Sequence, residues 1–181
     1  MIDRRNLFRF GALAGAAAAA AILPKQAEAA TDFLYEGSGS YGIAVANWLT
    51  TELNSLASST GNTLSVLGAA FQNTTARNFA DVEFVAGGAF SPTAAGFIEL
   101  WLLRSLDGGT NYEDGSATVA PGRQPDIVIP VRAGTTITPR AGAQGLILPV
   151  GFYKPIARNQ TGVALPAASN LIRFAAYSEQ F

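Results

Sequence analysis

The side chains best suited to chemistry stand in one loop, Ser105-Leu106-Asp107-Gly108-Gly109-Thr110-Asn111-Tyr112-Glu113-Asp114-Gly115. Asp107, Asn111, Glu113 and Asp114 carry the hard oxygen donors that calcium takes, and they are the candidate calcium ligands of the chain. Their spacing departs from the EF-hand, where donors recur at alternate positions around a glycine. Acidic glycine-rich turns also arise simply because Asp, Asn and Gly accept turn geometry. The same acids, taken with Glu99, raise glycoside hydrolysis, which needs two carboxyl groups about 5–10 Å apart beside a cleft. Glu99 lies between Ile98 and Leu100 in an apolar run. Alternation therefore predicts that it points outward or joins a salt bridge.

Few other chemistries are open to this chain of 181 residues, because it has no histidine and no cysteine. Ser-His-Asp and Cys-His machinery, zinc knuckles, iron–sulfur clusters and disulfides all need those residues. No P-loop or G-x-S-x-G run occurs, so P-loop nucleotide binding and serine-hydrolase chemistry have no support. The expectation is a protein that is not an enzyme and needs no cofactor. Trp48, Trp101, Tyr112, Phe152 and Tyr153 could stack on a sugar, but aromatic rings in strands belong more often to the core. Arg104, Arg132, Arg140, Arg158 and Arg173 are scattered one to a strand or loop, as salt-bridge or subunit-contact residues are. With 12 basic against 13 acidic residues, no field attracts nucleic acid. Charged residues make up 14% of the chain, against about 25% in ordinary domains. So thin a charged coat suits a surface covered by partners, although a coat of Ser, Thr, Asn and Gly is the plainer explanation.

The elements that must position these residues read as strands. Thr63–Phe71, Phe79–Ala86, Phe97–Arg104, Asp126–Ala133, Gly145–Val150, Phe152–Arg158 and Leu171–Ala176 are short, rich in Val, Ile, Leu and Phe, and bounded by turn residues. In Phe79–Val85 the alternation puts Ala80, Val82 and Phe84 on one face, and turns Asp81 and Glu83 to solvent or a partner. Strands at this spacing without helical crossovers predict a mainly β fold, an antiparallel β-sandwich or jelly roll, over residues 63–181. Residues 31–62 read as a linker and one short helix. The helix is expected over Ile43–Ala57, where Val45, Trp48, Leu49, Leu53 and Leu56 recur at helical spacing.

Residues 1–30 differ in kind. Arg4, Arg5 and Arg9, with Phe8 and Phe10 among them, precede an apolar run from Gly11 to Leu23, followed by Pro24 and Ala27-Glu28-Ala29. This is the layout of an export signal, and the paired arginines resemble the twin-arginine type. A run of 13 residues is shorter than the ~20 needed to span a bilayer, so no stable membrane anchor is expected. The rival reading is an Ala-rich helical docking arm, since alanine is the best helix former and Pro24 would end the helix. Arg4, Arg5, Phe8, Arg9 and Phe10 are then the interaction residues of the arm.

A family resemblance rests on three stretches. "GAAFQNTTARNFADVEF" (Gly68–Phe84) and "SPTAAG" (Ser91–Gly96) lead into "FIELWLLRSLDGGTNYEDGSATV" (Phe97–Val119), and "LPVGFYKPIARNQTGVALPAASNLIRFAAY" (Leu148–Tyr177) closes the body. Together they resemble small virion structural proteins of tailed phages and prophages. The resemblance spans roughly Leu53–Tyr177. It implies a capsid decoration (cement) or tail-associated β-sandwich, located in the virion, homo-oligomeric, with major capsid or tail proteins as partners and no enzymatic activity. Met1–Ala30 departs from what the resemblance leads one to expect. Its alternative is a periplasmic or extracellular binding module for a glycan or calcium, exported through a twin-arginine signal.

Overall fold

The computed structural model describes residues 45–74 and 77–177. The leader or arm, with Arg4, Arg5, Phe8, Arg9 and Phe10, lies outside the described residues. Eight strands form in the order β1 (Val45–Leu49), β2 (Phe71–Asn73), β3 (Phe79–Val85), β4 (Phe97–Ser105), β5 (Ile127–Pro130), β6 (Arg140–Ile147), β7 (Gly151–Gln160) and β8 (Leu171–Tyr177). They make two four-stranded sheets, β1-β8-β3-β6 and β2-β7-β4-β5. Every pairing is antiparallel. First pairs with last, second with seventh, third with sixth and fourth with fifth. That is one long hairpin rolled into a sandwich, the jelly roll that the strand spacing predicts.

Binary patterning explains why these segments take these places. In β3 the inward set Ala80, Val82 and Phe84 is buried and the outward set is half-buried, as alternation requires. β4 is buried on both faces over most of its length. Ile98, Leu100 and Leu102 enter the core between the sheets, while Trp101 and Leu103 join Leu64 and Ile156 in a second cluster on the outer face. Tyr112 and Ala120 cover that cluster from the long loop between β4 and β5. This sheet is therefore roofed by its own loops, and Trp101 has apolar neighbours although its face looks away from the main core.

Three expectations need correction. Ile43–Ala57 forms no α-helix where it is described: β1 is followed by a 3-10 turn at Thr51–Leu53. The register slips between Asn47 and Leu49 where β1 pairs with β8, so the neighbours Trp48 and Leu49 are both buried. A bulge thus produced the three-and-four spacing that reads as a helix. Of Thr63–Phe71, only Phe71 enters a regular ladder, although Ser65 and Gly68 donate their amides to Ala157 and Pro155 beside β7. β6 begins at Arg140, ahead of the expected Gly145, because its first half is built of small residues whose strand character is not apolar.

The remaining connections gather at two ends. At one, Ser55 and Leu165 exchange backbone bonds with Pro166 and Leu56, Thr93 donates to Thr161, and Phe90 bridges Ile137. At the other, Leu148 donates to Asn78, and the Asn73 amide donates to the carbonyls of Arg77 and Leu148.

Candidate functional site

The acidic loop following β4 is ordered from within. Asp107 accepts from the amides of Thr110 and Asn111 at 3.1 and 2.9 Å, from the Asn111 side chain at 2.7 Å and from the Ser105 hydroxyl at 2.7 Å. The Asn111 amide above all, then the Ser105 hydroxyl, holds the Asp107 carboxyl down at about 2. Glu113 has a different set of partners. Its carboxylate accepts from Arg123 Nη2 at 3.0 Å and from the Arg104 amide at 3.2 Å. Asp114 is exposed in the same loop. Of the four candidate calcium ligands, Asp107, Asn111 and Glu113 line one pocket together with Arg104, Leu106 and Tyr112. Among the described residues no cluster of three acidic side chains could hold a metal ion.

Arg123, which no motif singles out, straps this loop to the sheet. Its Nη1 donates to Asp126 at 2.7 Å and its Nη2 to the Leu102 carbonyl at 2.9 Å, while its own carbonyl accepts the Trp101 indole N–H at 3.0 Å. Burial lowers the guanidinium's proton affinity, but Asp126 and Glu113 outweigh it and the net shift is upward. Asp126 closes the strap by accepting the Leu102 amide at 2.7 Å.

Glu99 takes the salt-bridge option. It is buried, and Arg158 Nε and Gln160 Nε2 both donate to its Oε2. Arg158 also donates to the Gly61 carbonyl at 2.9 Å and lies over the Trp101 ring at 5.2 Å from its centroid. Of the carboxylates raised for glycoside hydrolysis, Glu99 is engaged by Arg158 and Glu113 by Arg123. The aromatic residues do not form a platform either. Trp48 stacks on Phe71 and Phe174, Tyr153 stacks on Phe71 and donates its hydroxyl to Pro149, and Tyr112 sits under Lys154.

A trough of mixed lining crosses the outer face of the β8-β3-β6 sheet. Its lining includes Asp81, Glu83, Arg140, Gly142, Arg173 and Ala175. Glu83 is the hub, accepting from Arg140 Nε at 2.9 Å and from Arg173 Nε at 2.6 Å. Burial raises its pKa, and the two guanidiniums outweigh that and set it below the usual carboxylate value. Asp81 accepts the Gly145 amide at 3.1 Å. Gly142 and Ala175 leave the floor open, since neither extends a side chain beyond Cβ. Alternation was enough to point Asp81 and Glu83 outward. Only the register of β3 against β8 and β6 brings Arg173 and Arg140 to Glu83.

Apolar side chains are also turned outward near the loop end that holds Asn78 and Leu148. Leu106 is 88% exposed and Ile147 70%, with Val150 exposed on the connection between β6 and β7. No helix among the described residues is long and apolar enough to cross a membrane. In comparisons with protein-family models, curated proteins and solved structures, nothing matches this chain.

Proposed function

We propose that the protein is a non-enzymatic virion structural protein, a capsid decoration (cement) or tail-associated jelly roll that braces its particle by oligomeric contacts with major capsid or tail proteins. The observation that carries this reading is the strand order β1-β8-β3-β6 over β2-β7-β4-β5, a wrapped roll that viral capsid domains use. The same roll serves lectins and cupins, so the fold alone is an analogy and the surface must choose among them. Here Glu99, Glu113 and Asp107 are engaged in holding the fold, while Leu106, Ile147 and Val150 face outward. That division favours contact over catalysis. A second reading draws on the trough around Glu83, where charged side chains stand beside apolar ones: a periplasmic or extracellular module that holds a glycan there, exported through a twin-arginine signal.

One fractionation separates the two. Particles banded on a density gradient from the producing cells are expected to contain the chain, with residues 1–29 still attached by intact-mass measurement. Recovery in the periplasmic fraction alone, with a mature start at Ala30, would replace the virion reading with the second.

A further inference from the structure

The acidic loop carries both Asp-Gly steps of the chain, Asp107-Gly108 and Asp114-Gly115, and the sequence has no Asn-Gly. An aspartate followed by glycine is open to ring closure, because glycine has no side chain to shield its amide nitrogen and turns freely. That nitrogen can attack the side-chain carboxyl carbon of the aspartate with loss of water. In a folded chain the outcome depends on whether either group is held. The Asp107 carboxylate accepts the amides of Thr110 and Asn111, the Asn111 side chain and the Ser105 hydroxyl. It is thereby fixed in place and kept charged, the form that cannot lose water. Asp114 is exposed. Among the described residues neither its carboxylate nor the Gly115 amide has a hydrogen-bond partner. The comparable step Asn54-Ser55 is closed, since the Ser55 amide donates to the Pro166 carbonyl and Asn54 Oδ1 accepts from Asn170.

We propose that Asp114-Gly115 is a site of spontaneous isoaspartate formation, and that the isomerised link loosens the loop from the sheet beneath it. The Gly115 nitrogen bonds to Cγ of Asp114, and the carboxyl hydroxyl leaves with the amide proton as water. The cyclic imide then takes back one water. Opening at the original main-chain carbonyl leaves the chain running through Cβ and Cγ, with the α-carboxylate as the new side group. The sum is an isomerisation that needs no oxidant, enzyme or partner. It adds one carbon to the main chain where the packing is tight. A Cβ on Gly115 would stand 3.0 Å from Leu103 and 3.3 Å from Pro121. Leu103 belongs with Trp101 to the cluster under the loop. On either side the loop is pinned, by the Glu113 amide on the Arg104 carbonyl and by the bridge between Ser116 and Val119. A longer link between two pins must bow away from Leu103, and a close-packed cluster does not absorb the change. The inference is independent of whether the chain sits in a particle.

The test is ageing of the full chain for weeks at about pH 5, where an ordinary carboxyl keeps some of its acid form. Cleavage before position 114 by an aspartate-specific endoproteinase is expected to fall. A peptide isomer of unchanged mass should replace it, preceded by a species lighter by one water. Isomerisation at position 107 is expected to lag by about tenfold or more, because Asp107 holds its proton only down to about 2. In denaturant the two steps should become comparable. In the Trp48→Phe chain, where Trp101 is the remaining tryptophan, emission should move to longer wavelength in step with isoaspartate at 114. The same chain carrying Asp114→Glu should keep its emission, with circular dichroism before ageing checking that both variants fold. An unmodified position 114, or equal rates at the two steps in the folded chain, would overturn the site. A difference that persists in denaturant would overturn its assignment to the fold. Isoaspartate at 114 with unmoved Trp101 emission would overturn the loosening.

Discussion

Burial decides what each charged residue does here. Glu99 and Arg158 are largely withdrawn from water, and a buried charge whose partner is removed costs about 3–5 kcal/mol. Arg158→Ala is therefore expected to lower the unfolding free energy by about 3 kcal/mol, read as a fall in the urea midpoint with unchanged slope. Replacing both members by apolar residues of similar volume should cost far less, because no uncompensated charge remains. Asp107 is the exposed counterpart. Its folded pKa of about 2 lies below the ordinary 3.8, so the order it gives the loop is complete above 3.8 and is lost as pH falls through about 2. Amide exchange at Thr110 and Asn111 is expected to accelerate relative to strand amides over that window, and Asp107→Ala should abolish the pH dependence.

Among the elements, the long connections are held by buried amides rather than by apolar packing alone. Asn159 has no exposed surface, and its side chain donates to the carbonyls of Leu56 and Val163 while accepting from the amide and hydroxyl of Thr161. Asn170 likewise ties Asn54, Pro166 and Gly87 together. The run Asn159-Gln160-Thr161-Gly162 is thus a loop anchor. Asn159→Ala strands several buried polar groups, each worth about 1–3 kcal/mol. A drop in melting temperature of about 10 °C or more is the expected outcome, from the few degrees that each kcal/mol shifts a domain of this size. Gly87 is fixed by space: a Cβ there would stand 1.9 Å from the Ala168 carbonyl oxygen. Gly87→Ala should therefore force the connection between β7 and β8 away from β3 and cost more than Gly122→Ala, where a Cβ meets nothing within 4 Å; thermal melts of the two variants compare them directly.

At the scale of the whole molecule, the two tryptophans report on different parts of one roll. Trp48 lies in the core between the sheets and Trp101 in the cluster under the long loop. If the roofed face folds with the sandwich as a single cooperative unit, Trp48→Phe and Trp101→Phe should each give fluorescence and circular-dichroism unfolding curves that coincide. Separate midpoints in Trp48→Phe, where Trp101 alone reports, would show the loop roof opening first.

The chemistry-bearing residues take structural roles once the strands are paired. Alternation made β3 readable, and the apolar runs of β4, β7 and β8 were long enough to survive without it, because a strand buried on one or both faces must carry its burial in its own residues. The same rule failed at β1, where a bulge shifted the phase, and at β6, where an edge strand of small residues carries little apolar signal. The missing histidine and cysteine, the sparse charge and the jelly-roll class were fixed by composition and pattern. The partners of Glu83, Glu99 and Glu113 were not, since Arg173, Arg158 and Arg123 reach them through register and loop closure, over 90, 59 and 10 residues of chain. Nothing local in a sequence encodes a meeting at those separations. The tertiary structure alone decided that these carboxylates hold the roll together, and that β6 is its longest edge strand.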